Sequence, residues 1–435
     1  MCDGPSDPGV ESSVHPPGKV GRVQKGPLPI MARTRHGVRI TAVVLTSWFA
    51  LCGCAPRSSR PATAVGGGGS EGATSDLWRY AQTITLDTTA AGANVPEDVV
   101  SYPLAVVLDK SRFDFSQARA DGADIRFFDA GGKALPHAIE LWDRESGSAA
   151  IWVLLDVVKG ASKDQSIVMR WGHSGAPDIS DSKAVFKRAD GFVGAWHLGE
   201  DGNTNADGYR DSSEHEAHGT GVGMIPGSRV EARIGKGTHL DNPAGQDTAR
   251  WIRVSGEKAR QFNPGPPITV SLWALGYSYP IRSYETMIAK GDTSWTLQRV
   301  QYGPGGGAQK IGGKGYQTCV RTPAYHLCAY NFAGQGLVTN EWLHFMVVFE
   351  EPGMKLYING ELNASESAGS WNKGDHDLGI GNQTQHLGGR RQWDGILDEA
   401  RVMQVARSGS WARLDYQSQR QAPTLLKFGK VRTMR

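Results

Sequence analysis

Short runs of apolar and β-branched residues recur along most of the chain and are separated by Gly, Asp, Asn and Pro. Examples are YPLAVVLD at 102–109, AIWVLLDVV at 150–158, ITVSLWALG at 268–276 and EWLHFMVVFE at 341–350. The strands of β-sandwiches have this length and this punctuation. The pattern therefore predicts an all-β fold of two β-sandwich domains, followed by a short C-terminal helix over 408–418.

The N-terminal region carries an apolar run of another kind. Residues 40–53 contain no charged side chain and follow three arginines. A membrane-spanning helix needs roughly 20 apolar residues, which is more than this run provides. A basic stretch, a short apolar stretch and small residues together predict a secretory signal peptide. We place it at 31–53, with Met31 as the start, and treat residues 1–30 as a doubtful leader without structure.

The apolar run ends in LCGC at 51–54, which resembles the lipobox of bacterial lipoproteins. The resemblance implies cleavage between Gly53 and Cys54 and acylation of Cys54, and two or more acyl chains hold a protein durably on a bilayer. Residues 54–75, rich in Gly and Ser, are then a flexible tether. By analogy with enterobacterial sorting, Ala55 favours the outer membrane, so the expected location is the bacterial cell envelope.

The charge balance excludes one class of partner. The chain has 47 Lys and Arg against 44 Asp and Glu, a formal net charge of +3. Residues 1–53 hold six basic and three acidic side chains, which accounts for the whole excess. The part that remains after cleavage is near neutral and has no basic stripe, so binding to a nucleic-acid backbone is not expected.

Five motifs lie between residues 101 and 172. They are FDF at 113–115, DGADIRF at 121–127, LP at 135–136, IELW at 139–142 and AIWV at 150–153. Together they resemble a bacterial domain of unknown function that usually precedes a laminin-G-like jelly roll. The resemblance covers 76–186 and implies a β-sandwich, but it brings no agreed chemistry with it.

Further motifs lie between residues 192 and 405. They are AWHLGE at 195–200, DSS and HGT between 211 and 220, Trp342, YINGEL at 357–362, IG at 380–381 and DGILDEARV at 394–402. Together they resemble a concanavalin-A-like jelly roll of the laminin-G type, which we place at 187–407. Residues 408–435 resemble the helix and strand that end such proteins, and Asn359-Gly360 predicts a type I′ hairpin turn.

Catalytic motifs are weak in this sequence. Glucanases related to the resembled jelly roll carry a Glu-x-Asp-x-Glu triplet on one strand, where all three side chains share a face. The sequence has no such triplet. Asp398 and Glu399 are adjacent, so regular alternation predicts that they point to opposite faces, with Asp398 beside Ala400. The sequence therefore favours a protein that is not an enzyme, and a glycan-active enzyme is the alternative.

Carboxylates supply the candidate calcium sites. Jelly rolls of the resembled type often hold calcium, which prefers oxygen ligands, and the resemblance points to Asp398 and Asp211. The alternative is that Asp398 only accepts hydrogen bonds from turn amides and locks the sheets together. Asp121, Asp124 and Asp129 are further candidates, but capping of turns is the favoured interpretation for them.

Two other sets of residues have alternative interpretations. HEAH at 215–218 is similar to a zinc motif, but its histidines are three apart in a loop, and an accident of the loop sequence is favoured. Trp142, Trp152 and Trp171 are of a type that stacks on sugars, but their apolar neighbours favour a place in the core.

Cys319 and Cys328 are predicted to form a disulfide. The segment between them is symmetric about Pro323-Ala324, so a turn there places the two cysteines opposite each other. Directly opposed residues of an antiparallel pair have Cα atoms about 4.5–5.5 Å apart, and a disulfide accepts about 4.4–6.8 Å. An extracytoplasmic location permits the oxidation. The alternative is a pair of buried free thiols.

Together these inferences predict an envelope-anchored bacterial lipoprotein that displays a non-catalytic binding surface for a glycan or an envelope protein. The membrane is contacted through the lipid anchor, no nucleic acid is expected, and calcium is the cofactor considered. Proteins that combine the two resembled domains are often encoded near proton-channel components. A second expected role is therefore that of an accessory subunit of a MotA/TolQ/ExbB-like energised complex.

Overall fold

The computed structural model of the protein describes most of the chain that follows residue 77. It covers residues 78–242, 249–263, 265–277, 284–301, 314–322, 326–331, 338–367, 369, 371–385, 391–421 and 423–434. The chain divides into two units, Met1–Gly68 and Gly69–Arg435, and all the described residues belong to the second. The signal peptide, Gly53, Cys54 and the tether that the sequence predicts lie outside the described residues.

Strands dominate the described residues, as the alternating sequence pattern predicts. The first seven strands are β1 (Tyr80–Leu86), β2 (Val99–Asp109), β3 (Arg126–Asp129), β4 (Ala134–Leu135), β5 (His137–Asp143), β6 (Ser148–Val158) and β7 (Gln165–Trp171). The next fifteen are β8 (Phe192–Trp196), β9 (Thr220–Val222), β10 (Arg229–Glu231), β11 (Lys236–Leu240), β12 (Trp251–Val254), β13 (Ile268–Gly276), β14 (Tyr284–Ala289), β15 (Trp295–Gln301), β16 (Lys314–Arg321), β17 (His326–Asn331), β18 (Trp342–Glu350), β19 (Gly353–Ile358), β20 (Glu361–Ser367), β21 (Leu378–Ile380) and β22 (Gly395–Met403). The last two are β23 (Leu426–Phe428) and β24 (Arg432–Thr433), and the α-helices are α1 (Ser182–Val185), α2 (Gly256–Arg260) and α3 (Gly409–Gln419).

The first sandwich is built from both ends of the described chain. One of its sheets has the order β23-β1-β7-β3-β4, with β24 also paired to β1, and the other has the order β2-β6-β5. The two sheets share one apolar core, because Ile84 and Met169 of one sheet and Val153 of the other belong to a single cluster. The C-terminal strands therefore complete the sandwich that β1 begins.

The second sandwich consists of two larger sheets. We call the first the inner sheet, with the order β10-β11-β22-β13-β18-β19-β20 and β8 also paired to β22. We call the second the outer sheet, with the order β17-β16-β15-β14-β21-β12-β9. Alternate residues of both sheets enclose a core that includes Trp295, Leu297, Ala400 and Val402. Together with the first sandwich, this arrangement confirms the predicted all-β fold of two sandwiches.

The far face of the inner sheet packs against the first sandwich and α3. Met346 and Met403 of the inner sheet lie in the same apolar cluster as Trp152 of β6 and Trp411 of α3. Tyr102 of β2 reaches α3, and its ring centroid is 5.0 Å from that of Trp411. The central strands β13 and β22 of the inner sheet are therefore buried on both faces.

A β-bulge in β22 overturns the predicted alternation around Asp398 and Glu399. The register between β13 and β22 shifts in this region, and Glu399 has a φ of +52°. Leu397 and Ala400 both enter the core between the sheets, whereas Asp398 and Glu399 make their contacts on the far face of the inner sheet. The prediction that the two carboxylates point to opposite faces is wrong, because the bulge inserts one extra residue between two inward positions.

Two local predictions are confirmed. The helix expected at 408–418 forms as α3, and the Ser408 hydroxyl caps it by accepting a hydrogen bond from the Trp411 amide at 3.2 Å. Asn359 and Gly360, between β19 and β20, have φ values of +52° and +78°. Positive φ at both positions is what a type I′ turn requires.

Candidate functional site

The outer sheet carries a polar groove on the face away from its core. Along β15, Trp295 and Leu297 enter the core, so the intervening Thr296 and Gln298 point to the other side. The same alternation on β16 and β17 brings Gln317 and Tyr330 to this face. These side chains line a cavity of about 150 Å³, which we call the outer groove.

The rim of the outer groove combines charge with aromatic surface. Arg391 Nη1 donates to Asp292 Oδ1 at 2.8 Å and to Gln383 Oε1 at 2.7 Å. The Arg391 guanidinium carbon lies 4.7 Å from the ring centroid of Tyr284. At the floor, Thr296 Oγ1 and Gln298 Oε1 have no hydrogen-bond partner in the described part of the chain. The groove therefore holds hydrogen-bonding groups beside aromatic rings.

The predicted disulfide lies in this groove. Cys319 of β16 and Cys328 of β17 are directly opposed in the strand register and are joined by an S–S bond. Their neighbours pair as the symmetry of the segment predicts, Val320 with Leu327 and Arg321 with His326. The disulfide prediction is confirmed, and both sulfur-bearing side chains line the groove.

A second polar site lies where the two sandwiches meet. Glu140 comes from β5 of the first sandwich, His197 follows β8 directly, and Glu399 occupies the bulge of β22. His197 Nδ1 is 2.7 Å from Glu399 Oε1 and 3.5 Å from Glu140 Oε2. We call these three residues the junction cluster. Within the described residues it is the one group of His, Cys, Asp and Glu side chains whose ligand atoms all lie within 4.8 Å of one another.

Neighbouring side chains orient each member of the junction cluster. Trp152 Nε1 donates to Glu140 Oε2 at 2.7 Å, and Arg401 Nη2 donates to Glu399 Oε2 at 2.7 Å. The Trp152 ring is stacked on that of His197, with centroids 5.9 Å apart and planes 18° apart. The Arg401 guanidinium carbon is 4.3 Å from the Trp152 ring centroid. The cluster is therefore held by an aromatic and a cationic side chain from two different domains.

Polar contacts continue from Arg401 into α3. Arg401 Nη1 donates to Asp415 Oδ1 at 3.1 Å, and the other oxygen of Asp415 is 3.1 Å from His344 Nε2. Gln419 Nε2 donates to Asp415 Oδ1 at 2.5 Å. The side chains of Arg401 and Asp415 are 2% and 1% exposed, so this is a buried network between the inner sheet and the helix.

The carboxylates around the junction cluster have divergent pKa values. Burial raises the pKa of Glu140 well above its ordinary value, and the charges of Glu399 and Asp398 raise it further. Burial and the Glu399 charge likewise raise the pKa of Asp398. Burial would also raise the pKa of Glu399, but His197 and Arg401 outweigh it and hold the pKa below its ordinary value. The surroundings thus favour one ionised carboxylate, Glu399, over the other two.

A cleft opens above the junction cluster. Its volume is about 340 Å³, and Glu140 and His197 form part of its wall. The remaining polar lining includes Glu200, Arg210 and Arg229. We call it the junction cleft, because residues of both sandwiches line it.

The two aspartates predicted to hold calcium have different surroundings. Both carboxylate oxygens of Asp211 accept hydrogen bonds within 2.9 Å, from the amides of Ala195, Ser213 and Ala217 and the hydroxyl of Ser213. Asp398 Oδ2 accepts from the amide of Ile234 at 2.8 Å. This hydrogen bond agrees with the alternative role of Asp398, in which the carboxylate accepts hydrogen bonds from turn amides. Calcium at either residue stays a prediction.

The other candidate residues are also placed. Asp121, Asp124 and Asp129 accept hydrogen bonds from backbone amides nearby, in agreement with turn capping. Trp152 and Trp171 are fully buried, which confirms their place in the core. In the HEAH segment, His218 Nδ1 accepts from the amide of Asp211 at 3.0 Å.

Sequence reasoning missed the junction cluster although its residues stand in the quoted motifs. Glu140 lies in IELW and His197 in AWHLGE, where each was treated as a mark of resemblance. The available signal was a charged or titratable side chain inside an otherwise apolar strand segment. What brings the three residues together is the contact between two domains, which neither motif contains.

The fold and its sites define a class of protein: a tandem of β-sandwiches whose second member is a jelly roll with a polar groove. Residues 251–412 match the family model of the concanavalin A-like lectin/glucanases superfamily, Laminin_G_3. Residues 121–199 match the model of DUF2341, a domain of unknown function. The chain thus joins a DUF2341 domain to a concanavalin A-like domain, and the junction cluster takes residues from both matches.

The solved structures that the chain matches include a domain of an arabinanase and the binding domains of toxins. Domain 4 of AbnA, a GH43 extracellular arabinanase from Geobacillus stearothermophilus, was solved in complex with arabinotriose. It is 17% identical with a TM-score of 0.38, and the match covers 52% of this chain and 98% of that one. The binding domain of Paraclostridial Mosquitocidal Protein 1 is 14% identical with a TM-score of 0.37, covering 53% of each chain. The botulinum neurotoxin serotype D binding domain is 15% identical with a TM-score of 0.36, covering 53% of this chain and 52% of that one. At these identities the likeness transfers no function.

Neither a curated relative nor, among the described residues, a membrane-spanning helix was found. No curated protein sequence matches the chain. In the described part of the chain, none of the helices has the length and apolar character needed to cross a bilayer.

Proposed function

We propose that the protein is an envelope-anchored bacterial lipoprotein whose jelly roll binds a glycan in the outer groove. The observation that carries the proposal is the composition of that groove. Tyr284 and Tyr330 supply ring faces, while Gln298, Gln317 and the Arg391–Asp292 pair supply donors and acceptors. A sugar ring presents C–H groups on its faces and hydroxyls at its edge, so it needs both kinds of partner. Binding sites of this kind combine apolar surface with a few well-placed polar groups.

A glycan array followed by calorimetry tests the binding. The full chain, solubilised in detergent, is applied to the array, and the best glycan is titrated against the wild type, Tyr330→Ala and Tyr284→Ala. We expect at least tenfold weaker binding by each variant. Tyr277→Ala is the matched control, because Tyr277 is 37% exposed and lies outside the groove. Absence of any bound glycan, or equal losses in all three variants, would refute the proposal.

The anchoring part of the proposal has its own test. Cys54→Ser is expected to release the protein from the membrane fraction and to remove the acyl mass. Cys52→Ser is the matched control, because Cys52 precedes the expected cleavage site and is removed with the signal peptide. A Cys54→Ser protein that stays acylated and membrane-bound would contradict the anchor.

The proposed role is binding and not catalysis. The bulge in β22 removes one argument for this view, since Asp398 and Glu399 lie on the same side of the sheet, but the absence of a Glu-x-Asp-x-Glu triplet still supports it. Their burial supplies another reason, because their exposures of 0% and 2% leave neither carboxylate open to a glycan. Incubation of the best array glycan with the chain, followed by mass spectrometry, is expected to return it uncleaved. Membership of a TolQ/ExbB-like complex stays a prediction.

A further inference from the structure

We propose that Glu140, His197 and Glu399 bind a divalent transition-metal ion of the zinc or manganese class at the floor of the junction cleft. The site is separate from the outer groove and does not depend on glycan binding. Its ligands come from three chain segments, one in the DUF2341 match, one at its end and one in the concanavalin A-like match.

The geometry is close to that of a bound ion. Metal–ligand bonds of about 2.0–2.1 Å in a tetrahedral site place neighbouring ligand atoms roughly 3.3 Å apart. His197 Nδ1 and Glu140 Oε2 are separated by 3.5 Å. His197 Nδ1 and Glu399 Oε1, now 2.7 Å apart in a hydrogen bond, need to separate by only a few tenths of an ångström. The ligand atoms of the third pair, Glu140 and Glu399, lie within 4.8 Å of each other, so an ion that replaces the shared proton has to draw this pair to a similar spacing.

The donor set selects the kind of metal. One imidazole nitrogen with two carboxylates suits Zn²⁺ and Mn²⁺, whereas Ca²⁺ takes six to eight oxygen ligands. Sites of this kind generally bind Zn²⁺ more tightly than Mn²⁺, so we expect the higher affinity for zinc. The proposal therefore differs from the calcium predicted at Asp398 and Asp211 in both ligands and metal.

Each ligand is already held by a second side chain, as is usual in metal sites. Trp152 donates to Glu140, Arg401 donates to Glu399, and the Trp152 ring is stacked on His197. The three side chains are thus fixed before an ion arrives. A site that is pre-ordered in this way binds without a large loss of side-chain entropy.

Carboxyl groups outnumber guanidinium groups around the junction cluster. Four carboxyl groups and two guanidinium groups lie in this part of the junction: Glu140, Asp398, Glu399 and Asp415 with Arg401 and Arg233. Asp398 Oδ1, in a side chain that is 0% exposed, has no hydrogen-bond partner among the described residues. A buried polar atom that has no hydrogen-bond partner is costly.

The junction cleft gives the site access to solvent. Glu140 and His197 line the cleft, whereas Glu399 lies beneath them with its side chain 2% exposed. Three protein ligands leave at least one coordination position of a zinc ion unfilled by the protein. Because two of the ligands face the cleft, that position opens into it and is available to water or to an anionic group.

Metal loading of the full chain tests the proposal. The chain is freed of metal with a chelator, desalted and titrated in turn with Zn²⁺, Mn²⁺ and Ca²⁺ by calorimetry, with metal content measured after gel filtration. We expect one Zn²⁺ per chain and at least tenfold weaker binding by Glu140→Gln and by His197→Asn. Glu216→Gln is the matched control, because Glu216 is an exposed carboxylate paired with Lys183 on the surface, and its affinity is expected to equal that of the wild type.

Three outcomes would overturn the proposal. The first is a wild-type chain that retains less than about 0.1 ion after gel filtration. The second is an unchanged affinity in both ligand variants. The third is loss of binding in a variant with His215→Ala and His218→Ala while Glu140→Gln still binds, which would move the ion to the HEAH segment. Circular dichroism and the melting temperature of each metal-free variant show whether it is folded, and His197→Asn keeps the test available if Glu140→Gln is not.

Discussion

The far faces of the two jelly-roll sheets both carry polar side chains, yet they use them differently. On the inner sheet, Arg401 lies between Glu399 and Asp415, and all three side chains are at most 2% exposed. At the rim of the outer groove, Arg391 pairs with Asp292; both residues lie in loops beside the outer sheet, and their side chains are 18% and 22% exposed. The first face packs against another domain, and the second lines a groove.

The difference shows that the cover over an ion pair decides how much the pair contributes to stability. An ion pair with access to water contributes little, because water solvates its members almost as well. A fully buried pair is different, since removing one partner strands the other in a medium that cannot solvate it. Because the first sandwich buries this face, Glu399, Arg401 and Asp415 form a network in which each charge needs its partner.

The largest expected effect is that of removing Arg401. Arg401→Met deletes the positive charge that Glu399 and Asp415 share and leaves both carboxylates buried. Breaking a buried pair in this way costs about 3–5 kcal/mol. We expect the free energy of unfolding, measured for the full chain by urea denaturation, to fall by this amount.

The same substitution on the other face sharpens the comparison. Arg391→Met removes a guanidinium whose partner is partly exposed, so the expected loss is at most about 1 kcal/mol. Equal losses of unfolding free energy for Arg391→Met and Arg401→Met would show that burial of the inner-sheet network by the first sandwich does not affect stability.

The second prediction concerns pH and the covering domain. Burial, followed by the nearby Arg126 charge, lowers the pKa of His137 in β5 to about 4. In the unfolded chain the pKa is about 6.5, so the unfolded state takes up the proton first as the pH falls. The contribution of neutral His137 to the free energy of unfolding is fully present above about pH 6.5. It is lost as the pH falls towards 4 and amounts to roughly 3 kcal/mol at most.

A variant separates His137 from the carboxylates that titrate nearby. His137→Gln cannot take up the proton, so its unfolding free energy should decline less steeply between pH 6.5 and 4 than that of the wild type. Parallel stability curves for the two proteins would remove His137 as the cause.

The third prediction applies to the disulfide of the outer groove. Cys319→Ser combined with Cys328→Ser opens a short loop, and the chain-entropy model gives a loss of about 2–3 kcal/mol at most. Because both cysteines line the groove, glycan affinity should fall as well. Urea denaturation and the calorimetric titration measure the two effects, and full retention of both would assign the bond no role on this face.

The smallest expected effect is that of calcium on the jelly roll. Both oxygens of Asp211 already accept hydrogen bonds from the chain, so a calcium ion has to compete with them. An ion present near its Kd stabilises the folded state by roughly 0.4 kcal/mol. We expect EGTA to lower the melting temperature slightly, and Asp211→Asn to abolish that shift. An identical melting temperature with and without EGTA would leave these aspartates a purely structural role.

Local sequence signals predicted much of the fold. The Asn359-Gly360 turn, the cap at Ser408 and the Cys319–Cys328 register each depend on residues close together in the chain. The turn follows from the tolerance of asparagine and glycine for positive φ, the cap from a single hydrogen bond, and the cysteine register from the symmetry of a hairpin. A sequence shows all three directly.

The junction cluster depends on what a sequence does not show. The bulge at Glu399 places a non-glycine residue at positive φ, and no glycine marks it. Glu140 and Glu399 are more than 250 residues apart, and they meet because two domains pack together. An uninterrupted strand would have shown regular alternation, and the bulge breaks that alternation at Glu399. The contact between the two domains then brings Glu140 close to His197 and Glu399.

The return of the C-terminus to β1 has a mechanical consequence. If Cys54 is acylated as we propose, a pull on a bound ligand reaches the described structure at β1, which begins at Tyr80. β1 is paired along its length with β7 on one edge and with β23 and β24 on the other. Tension along β1 therefore loads these rows of backbone hydrogen bonds in shear, so that they share the force instead of opening one by one. Strands β23 and β24 would thus hold β1 in place against the force that the proposed anchor applies to it.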